Sequence, residues 1–178
     1  MSEIDPAWIH AATVHAPIVL LPIATVCALL SFFLASSSLR RTAFVLLLLG
    51  FVSAIVAKET GEQTAHHVKE GAIDAHNIVV QERIPELIAD GKILRTHALL
   101  AEWTRNLYGG LFFAEAALLF LNSPRSDRWR RGWTLSPRLE RGVRVVWTAG
   151  ALLGIALIVV LSHYGGIMVY QYGVGVAR

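Results

Sequence analysis

The sequence has 178 residues, of which 54% are hydrophobic and 16% are charged, and its formal net charge is +3. Its mean hydropathy of +0.53 exceeds that of ordinary soluble domains, so the composition is that of a membrane protein. The sequence contains no C-x-x-C-H, H-E-x-x-H, Walker or nucleophile-elbow motif, which leaves covalent haem attachment and the common hydrolase classes without support.

Four apolar stretches are long enough to cross a hydrocarbon core, which needs about 20 helical residues. They cover about 13–35, 42–60, 98–121 and 144–170. We predict an all-α fold, an integral membrane four-helix bundle that forms a single domain over residues 1–178. Its helices are predicted at about 13–35, 42–67, 97–121 and 144–170, with an outer loop at about 68–96 and a basic cytoplasmic loop at about 122–143.

The first stretch follows an acidic segment, is longer than the apolar core of a signal peptide and lacks a convincing cleavage site. We therefore expect it to be a retained helix. His15 lies within it among apolar neighbours, in TVHAPIVLL. Cys27 is the only cysteine, which excludes an intramolecular disulfide.

The segment KETGEQTAHHV, residues 58–68, follows the second apolar stretch and is rich in ionisable side chains. If the helix continues through it, Glu59, Glu62 and His66 share one face, because residues three or four apart are neighbours on a helix. His67 then points about 100° away. We predict that the first three face inward and that His67 is solvated.

The third and fourth stretches contribute His97, Glu102 and His163. Glu115 lies deeper, in LFFAEAALLF, where an ionisable group needs a partner. We expect it to pair with Arg41 or Arg144.

Basic residues indicate the orientation of the bundle. Four spans place both termini on one side, and the 36–41 turn and the 122–143 loop on the other. The turn-and-loop side has nine arginines against two acids, while the terminal side has seven basic and ten acidic residues. The positive-inside rule then places both termini on the outer, periplasmic side. The nine are Arg40, Arg41, Arg125, Arg128, Arg130, Arg131, Arg138, Arg141 and Arg144.

We interpret the basic run RSDRWRRGW as a lipid-headgroup anchor and expect no nucleic acid partner.

Histidines and carboxylates fall at similar heights on the four helices. Counted from the predicted cytoplasmic helix ends, one layer lies about 18 to 21 residues up and contains His15, Glu59, Glu62, Glu102 and His163. A second layer lies roughly 7 Å higher by helical rise and contains His10, His66 and His97. The pattern predicts a polar site near the outer end of the bundle.

Imidazoles on facing helices are typical ligands of haem iron. The candidate ligands of a b-type haem are His15, His66, His97 and His163, with Glu59, Glu62 and Glu102 as acceptors that orient the rings. Glycines 109, 110, 150, 154, 165 and 166 supply either a slot for the macrocycle or close helix packing. The alternatives are an Fe, Zn or Cu ion held by the same side chains, a proton path or pH sensor, and an ordinary interfacial rim.

Three segments resemble one known family: VHAPIVLLPIA in the first helix, THALLAEW at the start of the third, and SHYGGIMVYQYGVGV at the end of the fourth. The chain is similar to the bacterial membrane proteins grouped as domain of unknown function 2231, which share a V-H-x-P-I opening and a terminal H-x-G-G-x-x-V-Y-x-x-G-V-G-V. The resemblance implies a four-helix membrane fold and makes His15, His97 and His163 motif positions. Ala16, where an aromatic residue is usual, and the pair His66–His67 depart from the pattern.

Together these observations favour a multi-pass redox protein of the bacterial inner membrane that exchanges electrons with other membrane or periplasmic subunits. A complex subunit is favoured over a stand-alone enzyme. The rival hypothesis is a structural or assembly subunit of a larger membrane complex whose polar rim binds a periplasmic partner. Either protein is compatible with a homo-oligomer.

Overall fold

The computed structural model describes residues 6–69, 86–87, 89, 91–123 and 136–172, with backbone alone for 6–8 and 67–69. Its helices are α1 (Pro6–Thr13), α2 (His15–Phe33), α3 (Ser37–Lys69), α4 (Lys92–Leu121) and α5 (Pro137–Tyr172). The prediction of an all-α fold with four long helices is confirmed. Most of the predicted outer loop, the arginines at 125, 128, 130 and 131 and the motif residues 173–176 lie outside the described residues.

The helices α3 and α5 begin five to seven residues before their predicted starts at 42 and 144. Serine caps explain both starts. The hydroxyl oxygen of Ser36 accepts a hydrogen bond from the Leu39 amide at 3.3 Å, and Ser136 accepts one from Leu139 at the same distance. Pro137 follows the second cap at the first helical position, where a missing N–H costs nothing. Hydropathy alone marks only the apolar part of each helix.

A short break at Val14 separates α1 from α2. Pro17 accounts for it, because a proline ring clashes with the carbonyl four residues earlier, here that of Thr13. The turn after α2 is equally local, since Ala35 adopts a left-handed backbone with φ of 48°. This three-residue connection makes α2 and α3 antiparallel neighbours.

The four long helices form a closed ring in which α2 packs on α3, α3 on α4, α4 on α5 and α5 on α2. Leu21, Ala24 and Ala28 of α2 are buried in the core, and Tyr108 is fully buried. A Cβ at Gly154 would lie 2.7 Å from the Tyr108 ring, so only glycine leaves room for that ring. Trp147 donates its indole N–H to the Leu111 carbonyl at 3.0 Å, which ties α5 to α4.

The outer surface of the ring is apolar. Large exposed side chains such as Phe33, Val45, Phe113 and Val146 lie on every long helix, as expected of a surface covered by lipid. Among the described residues, three segments are long and apolar enough to cross a membrane: Ile9–Phe33, Ser37–His66 and Pro137–Tyr172. The fourth predicted span corresponds to α4, whose charged side chains lower its hydropathy.

One buried ion pair joins α3 to α4. The Arg40 guanidinium donates from Nε to Glu115 Oε1 at 2.7 Å, and the two side chains are 15% and 4% exposed. The expectation that Glu115 pairs with Arg41 or Arg144 is therefore wrong. Arg41 is exposed, because adjacent helical residues point about 100° apart, and Arg144 pairs with Glu140 instead.

We expect Glu115→Gln to lower the free energy of unfolding by about 3 kcal/mol, because it leaves the Arg40 cation buried without its counter-charge. Glu62→Gln is the matched control. Its partner Lys58 lies 2.7 Å away, but the Glu62 side chain is 59% exposed, so the loss should stay below about 0.5 kcal/mol. Thermal unfolding in detergent, followed by tryptophan fluorescence, measures both. Equal effects of the two variants would contradict the importance of the buried pair.

Candidate functional site

The four predicted histidine ligands differ in burial. His97 is partly buried, while His15, His66 and His163 are exposed on the bundle surface. The ring of His15 is anchored locally by a hydrogen bond from Nδ1 to the Ala11 carbonyl at 2.8 Å. The ring of His163 lies edge-on to Tyr164, with centroids 6.0 Å apart.

The three predicted carboxylates are also on the surface. Lys58 lies 3.5 Å from Glu59 and 2.7 Å from Glu62, and both glutamate side chains are 59% exposed. Glu102 is exposed on α4. Glu59, Glu62 and His66 therefore share an outward face of α3.

His10 is the functional candidate that sequence reasoning did not choose as a ligand. Its Nδ1 lies 2.8 Å from the carbonyl oxygen of Ala57 and 3.5 Å from the Thr60 hydroxyl, which binds α1 to α3. A carbonyl only accepts hydrogen bonds, so Nδ1 carries the proton and the Nε2 lone pair of the neutral ring stays available. Gly61 makes room, because a Cβ there would lie 2.8 Å from His10 Cε1.

The ring of His97 lies among α1, α4 and α5. The charge of His10 and the Leu161 carbonyl both act on this ring. A Cβ at Gly165 would lie 3.4 Å from His97 Cε1, so this glycine borders the ring. The two rings thus come from helices that are far apart in sequence.

Nδ1 of His97 is buried and has no hydrogen-bond partner within the described part of the chain. A buried polar atom without a partner costs roughly 1 to 3 kcal/mol and calls for an explanation. The hydroxyl of Ser162, the residue after Leu161, is also buried without a hydrogen-bond partner among the described residues. In a neutral imidazole, the nitrogen that carries no proton has a lone pair that can meet a donor or a metal ion.

We refer to His10 and His97 as the histidine pair. In His10 one ring nitrogen is directed at a backbone carbonyl and the other has a free lone pair, which is how protein ligands of metals are usually oriented. In His97, Nδ1 is the buried nitrogen without a partner among the described residues. Within the described ranges, no cluster of three or more His, Cys, Asp or Glu side chains is placed to hold a metal ion.

A family model described as "Predicted membrane protein (DUF2231)" matches residues 6–178. The chain belongs to this family. The match confirms the resemblance that the three sequence segments indicated, and it covers both residues of the histidine pair. Neither the curated proteins nor the solved structures give a match to the chain. The family description gives a membrane location and no activity.

In protein depleted of metal and haem, His97→Phe should change the free energy of unfolding by less than about 0.5 kcal/mol, because relief of the unpartnered nitrogen offsets the loss of the interaction with the Leu161 carbonyl. His10→Phe should lower it by about 1 kcal/mol, since it removes the bond between α1 and the Ala57 carbonyl. Thermal unfolding in detergent distinguishes the two. Destabilisation by both would show that Nδ1 of His97 has a structural partner.

Proposed function

We propose that the protein is a membrane redox protein that binds a b-type haem through His10 and His97 and passes electrons to or from a partner. The observation that carries the proposal is the buried Nδ1 of His97, which has no partner among the described residues, together with the His10 ring, whose Nδ1 is directed at the Ala57 carbonyl. Evolution tolerates such a costly atom where it serves a function, and an imidazole nitrogen with a free lone pair is a ligand for iron.

The surroundings of the pair support a haem in two ways. His10 is fixed by its bond to Ala57, so its ring orientation is set before any ligand arrives. Gly61 and Gly165 border the two rings, and residues without side chains allow a flat group to approach a helix closely. A bound haem would supply one-electron chemistry, and the protein would supply its ligands and exclude water.

The proposal includes a location. The histidine pair lies near the end of the bundle that is opposite the arginines at the starts of α3 and α5. Under the positive-inside rule that arginine-rich end is cytoplasmic. The pair then lies toward the periplasmic face of a bacterial inner membrane, where a membrane or periplasmic redox subunit is the partner.

A second candidate is an Fe, Zn or Cu ion held by the same pair. The free nitrogen of His10 and the unpartnered Nδ1 of His97 favour it, because imidazole suits each of these metals and an ion needs less space than a macrocycle. An assembly subunit with no cofactor is the third, and the exposed polar side chains His15, Glu102 and His163 favour it as a docking rim.

The test is an ultraviolet-visible spectrum of the full chain purified in detergent, oxidised and dithionite-reduced, with elemental analysis of the same sample. We expect a Soret band and bound iron, both lost in His10→Ala and His97→Ala. His15→Ala is the matched control, because its Nδ1 has the same 2.8 Å bond to a backbone carbonyl but the ring is exposed.

Each other outcome excludes the haem proposal. Metal without a haem spectrum, lost in the same two variants, indicates the ion site. Protein free of metal and haem indicates the assembly subunit. Loss of haem in His15→Ala or His163→Ala with retention in the pair variants would move the ligands to the bundle surface.

A further inference from the structure

A groove of about 800 Å³ lies at the opposite end of the bundle from the histidine pair. It is bounded by the end of α2, the turn after it, and the first turns of α5. Its floor is cationic, with Arg40, Arg141 and Arg144, and two serines, Ser36 and Ser37, lie beside them.

The arginines are only partly neutralised. Arg40 donates to Glu115 through Nε, but its Nη2 is buried with no hydrogen-bond partner among the described residues. Arg144 donates to Glu140 at 2.6 Å and lies 4.9 Å above the Phe32 ring. Arg141 is exposed. Among the described residues, two carboxylates thus pair with two of the three arginines, and Nη2 of Arg40 has no acceptor.

The wall above this floor is apolar and faces outward. Val145 and Leu152 line the groove and are 63% and 52% exposed. Leu152 lies eight residues beyond Arg144, or about 12 Å along the helix. Val145 and Leu152 both lie in Pro137–Tyr172, a segment long and apolar enough to cross a membrane, so we expect acyl chains and not water to cover the wall.

We propose that this groove binds one anionic phospholipid, with the headgroup phosphate at Arg40, Arg141 and Arg144 and an acyl chain along Val145 and Leu152. Arginine forks match phosphate oxygens, and basic pockets between membrane helices bind lipid headgroups. The apolar wall selects an amphiphile over a free anion, since a free phosphate gains nothing from Leu152. The proposal does not depend on the histidine pair.

The test is native mass spectrometry of the full chain in detergent with added phosphatidylglycerol or phosphatidylcholine. We expect phosphatidylglycerol adducts to be retained in preference to phosphatidylcholine. A parallel sample contains inorganic phosphate in large excess over lipid, which should displace little of the phosphatidylglycerol. Equal retention of both lipids, or full displacement by phosphate, would overturn the proposal.

Two matched pairs of variants locate the site. Arg141→Gln should weaken phosphatidylglycerol binding about fivefold, whereas Arg138→Gln should not. Both arginines are exposed on the same helix three residues apart, but only Arg141 lines the groove. Equal losses would indicate a diffuse surface charge, and no loss would exclude the groove as the headgroup site.

The second pair tests the acyl chain. Leu152→Ala should weaken phosphatidylglycerol binding roughly threefold by removing apolar contact, whereas Leu153→Ala should leave it unchanged. The two leucines are 52% and 56% exposed, and only Leu152 lines the groove. An effect of Arg141→Gln without one of Leu152→Ala would show that the site takes a phosphate and not a lipid.

Discussion

Glu115 is a carboxylate in an apolar helix, and its bond to Arg40 determines how α3 and α4 lie against each other. Arg40 precedes Ala57 by 17 residues, and Glu115 follows His97 by 18. At the helical rise both separations are about 26 Å. The helices α3 and α4 are antiparallel. The ion pair at one end of these helices therefore brings His97 level with the Ala57 carbonyl at the other end, and this carbonyl holds His10.

The contact between α4 and α5 repeats this register. Trp147 binds the Leu111 carbonyl, and His97 meets the Leu161 carbonyl. On α4, Leu111 follows His97 by 14 residues. On α5, Leu161 follows Trp147 by the same number. The position of the histidine pair is thus a consequence of two polar contacts deeper in the bundle, and the lipid groove and the pair share Arg40–Glu115 as their common support.

The sequence predicted the four long helices and the height of their polar residues, because length and hydropathy report directly on the membrane. His10 and His97 were assigned to one layer by counting residues, and in the structure the charge of His10 acts on the His97 ring. What counting did not give was the direction of each side chain. His15 and His163 were favoured because their neighbours are apolar, yet both are exposed. In a membrane helix the lipid-facing surface is as apolar as the interior, so apolar neighbours do not indicate burial.

The prediction that Arg41, and not Arg40, pairs with Glu115 failed for the same reason. Adjacent helical residues point about 100° apart, and composition does not encode that direction.

The charged side chains of α4 have a consequence for biogenesis. Glu115 and Arg105 make α4 the long helix that falls short of the apolar character of a span, and an unpaired carboxylate in hydrocarbon is costly. Its counter-charge is on α3, which precedes α4 in the chain. During synthesis the cation therefore reaches the bilayer first, and the later helix enters beside a partner that already neutralises it. The order of two charged residues along the chain is in this way also an order of assembly, in which α3 acts as the template for the insertion of α4.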